Sequence, residues 1–259
     1  MKIFFIIDDT LILLPEWLDK VIVELEKNEE IVGISPLTNK GRSSWDNYLV
    51  KQLPRQGVAS LIRLIQLVFC LKLQKILFDL RLIQQPASIK QVAKKHRLKV
   101  IRTKNVNRSD YLEKVEKLKP DIIVSSCSQI FGKRLLELSK IACINRHSSL
   151  LPSYGGLLPI FWALLNDEKE IGVTVHHMVK KIDRGPIIFQ KAFPVEINNT
   201  FFSHYKRAYQ ESVEATIKAI QIIKNKSKPV VIKRTKPSYY TFPEIKDWER
   251  FWKKGYKFI

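Results

Sequence analysis

Short, unbroken apolar runs separated by helix-length segments restrict this chain more than any other feature. Ile3-Phe4-Phe5-Ile6-Ile7, Ile31–Ile34, Ile122-Ile123-Val124 and Ile141–Ile144 are apolar at nearly every position, not every second one. A strand tolerates this only when both faces are buried, as in a parallel sheet covered by helices. Helical patterns fill the gaps. Pro15 suits the first turn of a helix reaching about Lys27, and Ser88 caps another through His96, ahead of a weak strand at Val100–Ile101. Ser109 or Asp110 opens a helix that Pro120 stops after Leu118, and a short one lies near Gly132–Leu138. Repeated β-α units predict an α/β fold: an open, mostly parallel Rossmann-like sheet with helices on both faces. Later strands are expected at Val173-Thr174-Val175 and Ile187-Ile188-Phe189, then a long helix from Thr200 to Lys224. The predicted division is one α/β domain over residues 1–225 and a short basic, aromatic extension over 226–259.

A helical insertion at about 40–86 interrupts the alternation. Between Val58 and Ile83 the chain is strongly apolar, yet Arg63, Gln66, Gln74 and Arg81 share one helical stripe and Lys72, Lys75 and Asp79 another. Apolar faces remain between the stripes, so the helix is expected to pack between two surfaces. One is its own domain; the other is open to a second subunit, giving a homodimer, or to a peripheral membrane contact.

Charge narrows the partners. The 259 residues carry 45 Lys+Arg against 25 Asp+Glu, a formal +20. That suits an anionic partner, or merely a solvated lysine surface, since 32 of the 45 cations are Lys. Cys70, Cys127 and Cys143 are widely spaced, which fits neither a disulfide framework nor a zinc site. The first apolar run ends at Asp8-Asp9, too soon for a signal peptide, so a cytoplasmic location is expected.

The chemistry concentrates in Ile144-Asn145-Arg146-His147-Ser148-Ser149-Leu150-Leu151-Pro152-Ser153-Tyr154-Gly155-Gly156. Asn145 and His147 are two apart, so on a strand they point the same way, at the carboxyl end where open α/β sheets bind ligands. An amide and an imidazole there can polarise a carbonyl and share a proton. Asp183, in the turn-forming Lys181-Ile182-Asp183-Arg184-Gly185-Pro186, offers a carboxylate. A hydrogen-bonded loop pair is the plainer reading of Asn-x-His alone. His176 and His177 alternate faces on a strand without ligand partners at metal spacing, and read as structural; no metal is expected.

These segments resemble the folate-dependent formyltransferases, a family that includes glycinamide ribonucleotide, methionyl-tRNA and amino-sugar formyltransferases. The resemblance rests on Asn145-x-His147-x-Ser149-Leu150-Leu151-Pro152-x-Tyr154-x-Gly156, Pro159-x-x-Trp162-Ala163, Gly172-Val173-Thr174-Val175-His176 and Ile182-Asp183-x-Gly185-Pro186-Ile187, close over residues 120–195. It implies 10-formyltetrahydrofolate as donor. Asn145 would bind the formyl oxygen, His147 would assist it and move protons, and Asp183 would position His147 and help deprotonate the attacking amine. The donor's ring would lie against the 125–131 loop, including Ser128, Gln129 and Ile130, and the turn from Val179 to Ile182. Two departures stand out: Gly155 where family members often carry Arg or Lys, and Arg146 between the catalytic pair.

For the acceptor, the expectation is a small, anionic primary amine such as an amino sugar, because only about 35 residues follow the long helix where methionyl-tRNA formyltransferases carry a barrel domain. That tail interleaves Lys226, Lys228, Lys233, Arg234 and Lys236 with later aromatics such as Trp248, Phe251 and Trp252. It reads either as a nucleic-acid surface or, preferably, as a strand and helix burying their aromatics. Three other readings remain open: methionyl-tRNA formyl transfer without a full barrel domain, hydrolysis of the formyl-folate, and non-catalytic folate or nucleic-acid binding.

Overall fold

The computed structural model describes residues 1–10, 12–37, 57–196, 198–232 and 236–259. The first part of the expected insertion, residues 40–56, and Lys233 and Arg234 of the basic tail lie outside the described residues. Six strands form one sheet: β1 (Lys2–Asp8), β2 (Glu30–Leu37), β3 (Ile122–Ser126), β4 (Ala142–His147), β6 (Glu170–His177) and β7 (Ile187–Pro194), in the order β2-β1-β3-β4-β6-β7. The first four run parallel, and β6 and β7 return antiparallel at one edge. The weak strand at Val100–Ile101 is a single bridge from Val100 to Ile34.

The unbroken apolar runs bury both faces, as their composition requires. Ile3, Phe5 and Ile7 point into one layer with Ile122, Val124 and Ile144, under α1 (Leu14–Leu25), α3 (Ile89–Lys95) and α7 (Phe201–Asn225). Phe4 and Ile6 point into the other with Ile123 and Cys143, under α4 (Ser109–Glu116) and α5 (Lys133–Leu136). Ser88 caps its helix as the sequence suggests, its Oγ accepting from Gln91 N, and Thr200 is the cap of the long helix, its Oγ1 accepting from Ser203 N. Ahead of Ser88, α2 (Gly57–Asp79) forms one helix, and α6 (Pro159–Leu165) opens with proline in its first turn.

The tail takes the strand-and-helix form. A two-residue strand β8 (Tyr239–Tyr240) pairs parallel with β5 (Gly155–Gly156), and α8 (Ile245–Lys253) buries Trp248 and Phe251 completely. Their rings meet Phe161 of α6 at centroid distances of 4.6 and 4.9 Å. The tail's large aromatics are therefore part of the main core. Trp248→Ala should lower the stability of the whole chain by about 3–5 kcal/mol, the usual cost of deleting a large buried aromatic. A denaturant titration checks this; an unchanged midpoint would mean the tail folds as an independent appendage.

Candidate active site

Strand β4 ends in alternating side chains that the pleat sends to opposite faces. Arg146 turns toward α1 and α7. Its guanidinium sits 4.0 Å from the Tyr209 ring centroid, and Nη1 donates to Ser148 Oγ at 2.7 Å. Arg146 is thus a packed cation beneath the site, which accounts for its place between two residues of different purpose. Asn145 and His147 face the other way. Antiparallel pairing sets Asn145 directly opposite His176 and His147 opposite Thr174, so β6 brings a second imidazole to the same face. Thr174 hydroxyl donates to Ser149 O at 2.7 Å and accepts from Leu151 N at 3.1 Å, fixing the loop that leaves β4.

Asp183 lies at the centre. Its carboxylate accepts from Gly156 N at 2.8 Å through Oδ2, which is also 3.7 Å from His147 Nδ1. Oδ1 is 3.7 Å from His176 Nε2. The side chain is only 8% exposed, so its charge acts in a poorly solvated setting. Two glycines allow this approach. At Gly156, φ +91° and the nearby Tyr240 carbonyl leave no room for a β-carbon; at Gly185 a β-carbon would fall 1.7 Å from His177 O.

The imidazoles differ in role. His147 Nε2 is 2.9 Å from the carbonyl of Tyr154, which can only accept, so Nε2 carries a hydrogen and Nδ1 faces Asp183. His176 Nδ1 donates in the same way to His177 O at 2.9 Å, leaving buried Nε2 with no hydrogen-bond partner among the described residues. Burial pushes the His176 imidazolium pKa down to about 4, against the opposing pull of the His177 carbonyl and the Asp183 charge. The folded state therefore binds fewer protons than the unfolded chain between about pH 4 and 6.5. Stability should fall as pH drops through that window, by up to about 1.4 kcal/mol per pH unit from this one group. Unfolding measured across the window should show a shallower slope in His176→Gln; an unchanged slope would remove His176 as its source.

Asn145 is half-buried, and its side-chain amide makes no hydrogen bond to any described residue, so its N–H groups are available for a ligand oxygen. The expected ring-binding walls divide into two kinds. Ile130, Val179 and Ile182 are exposed apolar side chains, at 66%, 41% and 46%. Phe131 beside Ile130 and Met178 beside Val179 pack in one apolar layer, which ties the two walls to a common base. Ser128 and Gln129 are engaged elsewhere: Ser128 N donates to Asp8 Oδ2 at 2.9 Å, while the Gln129 side chain accepts from Val106 N and donates to Lys104 O. What Gln129 can offer a ligand is backbone.

Sequence reasoning set His176 aside as structural, and the structure places it against Asp183. It also missed the tail's approach: Gly155 N donates to Ser238 O, and Tyr240 stacks on Trp162 at 4.6 Å and on Tyr154 at 5.6 Å. Gly155, where an Arg or Lys is usual, is thereby taken up in pairing with the tail.

The parallel sheet with an antiparallel return defines a Rossmann-like α/β fold, with an amide, two imidazoles and a carboxylate gathered at the carboxyl end of β4. The family model described as Formyl transferase matches residues 41–220, and the chain belongs to that family. The match takes in residues 57–86, which the motifs alone leave outside. Among relatives, the methionyl-tRNA formyltransferase of Thermotoga maritima is 39% identical over 140 residues, 54% of this chain and 45% of that protein. The bifunctional polymyxin resistance protein ArnA of Wigglesworthia glossinidia brevipalpis is 39% identical over 142 residues, 54% of this chain and 22% of that protein. The chain thus matches less than half the length of either. Solved structures share the fold at low identity. Phosphoribosylglycinamide formyltransferase from Anaplasma phagocytophilum aligns over 94% of this chain and 99% of its own, with TM-score 0.61 and 15% identity. An N-formyltransferase from Helicobacter canadensis, in complex with folinic acid and dTDP-3-aminofucose, aligns over 93% and 71%, with TM-score 0.58 and 24% identity.

Proposed function

We propose that this chain transfers the formyl group of 10-formyltetrahydrofolate to the primary amine of a small, anionic acceptor, such as an amino sugar on a nucleotide carrier. The observation that carries the reading is the convergence of Asn145, His147 and Asp183 on one edge of the sheet. The donor fits the residues present. The unengaged Asn145 amide suits its formyl oxygen, and exposed Ile130, Val179 and Ile182 suit the faces of a flat ring. Bound there, it supplies the formyl carbon that the amine attacks.

The reaction breaks the donor's carbon–nitrogen bond and forms a new one to the acceptor, and a proton passes from the attacking amine to the departing nitrogen. Negative charge grows on the formyl oxygen and positive charge on the amine. Asn145 N–H groups answer the first, at low dielectric and without reorganisation. Asp183 answers the second and holds His147, whose Nδ1 faces it and can share the moving proton. His176, uncharged near neutrality, lies 3.7 Å from Asp183 Oδ1 and adds no second charge there.

A small acceptor is favoured because Trp248 and Phe251, two of the tail's large aromatics, are fully buried and cannot stack on nucleic acid, although Trp252 is only half-buried and Tyr239 is exposed. The Helicobacter canadensis structure, which pairs a folate with a nucleotide amino sugar, supports the same choice. The relatives named for methionyl-tRNA keep that acceptor as the competing reading. Calorimetric titration of the purified chain with 5-formyltetrahydrofolate tests the donor site. Micromolar binding is expected, and silence up to millimolar ligand would sink the folate assignment.

A further inference from the structure

Helix α2 carries a second surface that the proposed chemistry does not use. Its 23 residues put Ile62, Ile65, Phe69, Leu73, Ile76 and, one residue past its end, Leu80 at spacings of three and four, a single stripe at 100° per residue. All six side chains are exposed, Phe69 at 65% and Ile65 at 60%. The opposite face, including Leu64, Leu67, Leu71 and Phe78, is half-buried. Hydrogen bonds tether the helix: Arg63 Nη1 donates to Ile259 O at 2.9 Å, and Gln91 Nε2 to Lys75 O at 2.8 Å. The apolar stripe is thus the more exposed face of a helix tethered by these two bonds, and a contiguous exposed patch of this kind marks an interaction site.

Charge selects the occupant. Lys72 lies at one edge of the stripe with Asp79 and Lys75 beyond it, and Arg63 lies beyond the other edge; Asp79 is the only acidic side chain on the helix. Pairing with a second copy would bring together two chains of formal charge +20 each. An anionic lipid surface meets both features, taking the stripe among the acyl chains and the lysines among the headgroups. No helix among the described residues is long and apolar enough to cross a membrane, so α2 would lie on the surface and not span it.

We propose that α2 docks this protein on anionic membrane surfaces through its outward apolar stripe. The test is flotation of the full-length protein with vesicles of phosphatidylcholine alone or mixed with phosphatidylglycerol. Binding should be at least about tenfold stronger to the anionic vesicles and should weaken as salt rises. Ile65→Glu with Phe69→Glu should lower it about tenfold or more with the thermal transition unchanged, both sites being exposed. Phe69→Trp should retain binding, and its emission should shift to the blue when anionic vesicles are added. Equal recovery of the wild type and the double glutamate variant would overturn the proposal. So would a dimer in sedimentation velocity that the glutamates dissolve while vesicle binding stays absent.

Discussion

Asp183→Asn should reduce formyl transfer by about a thousandfold or more while changing donor affinity only a few fold. The substitution keeps the size of the side chain and removes its charge, which is the property the site is built around. The carboxylate accepts from Gly156 N and lies 3.7 Å from both His147 Nδ1 and His176 Nε2. An amide cannot take a proton from the amine, and it carries no charge to stabilise the imidazolium that His147 becomes when it shares that proton. Loss of a positioned proton-transfer group costs about 10²–10⁴ in rate, and the disturbed His147 places this variant in the upper part of that range. The measurement is steady-state transfer with the variant, reading kcat and KM separately. A variant within tenfold of wild-type kcat would remove Asp183 from the chemistry.

Asn145→Ala should come next, with kcat lower by about 10²–10³ and donor KM nearly unchanged, the signature of a donor needed only as charge develops. The residue sits opposite His176 on the same sheet face, and its amide has no partner among the described residues, so nothing in the fold depends on it. Asn145→Asp sharpens the test. It is nearly isosteric, but a carboxylate at that point repels the growing negative charge, so it should be at least as slow as alanine. A rise in KM with kcat preserved would instead mean that Asn145 only binds the ground state.

The parts of the fold that could be read in the sequence are those whose cause is local. Ile3–Ile7 showed a strand buried on both faces because no amphipathic pattern explains five consecutive apolar residues. Ser88 read as a helix cap because the cap bond spans only three residues. Asn145 and His147 were legible as a pair because the pleat alone aligns residues two apart. What escaped depends on register between distant segments. His176 joins Asp183 through antiparallel pairing of β6 with β4, and nothing near residue 176 encodes that register. Gly155 looked like a lost basic residue until its pairing with Tyr239 was seen, 84 residues along the chain. The unexpected Arg146 has its explanation in Tyr209 and Ser148, one of them on a helix remote in sequence. For α2 the sequence did show two apolar faces, but only the structure tells which one is the more exposed.

The most direct measurement is a transfer assay with purified protein, 10-formyltetrahydrofolate labelled in the formyl carbon, and a panel of primary amines led by nucleotide-linked amino sugars. Mass spectrometry reads where the label goes. The site described here predicts a labelled N-formyl product from at least one anionic amine, formed by the wild-type chain and lost in Asp183→Asn. Label appearing only as free formate at the same rate with or without amine would make the protein a hydrolase. Donor left untouched by the wild type while it is bound would contradict catalysis at this site altogether.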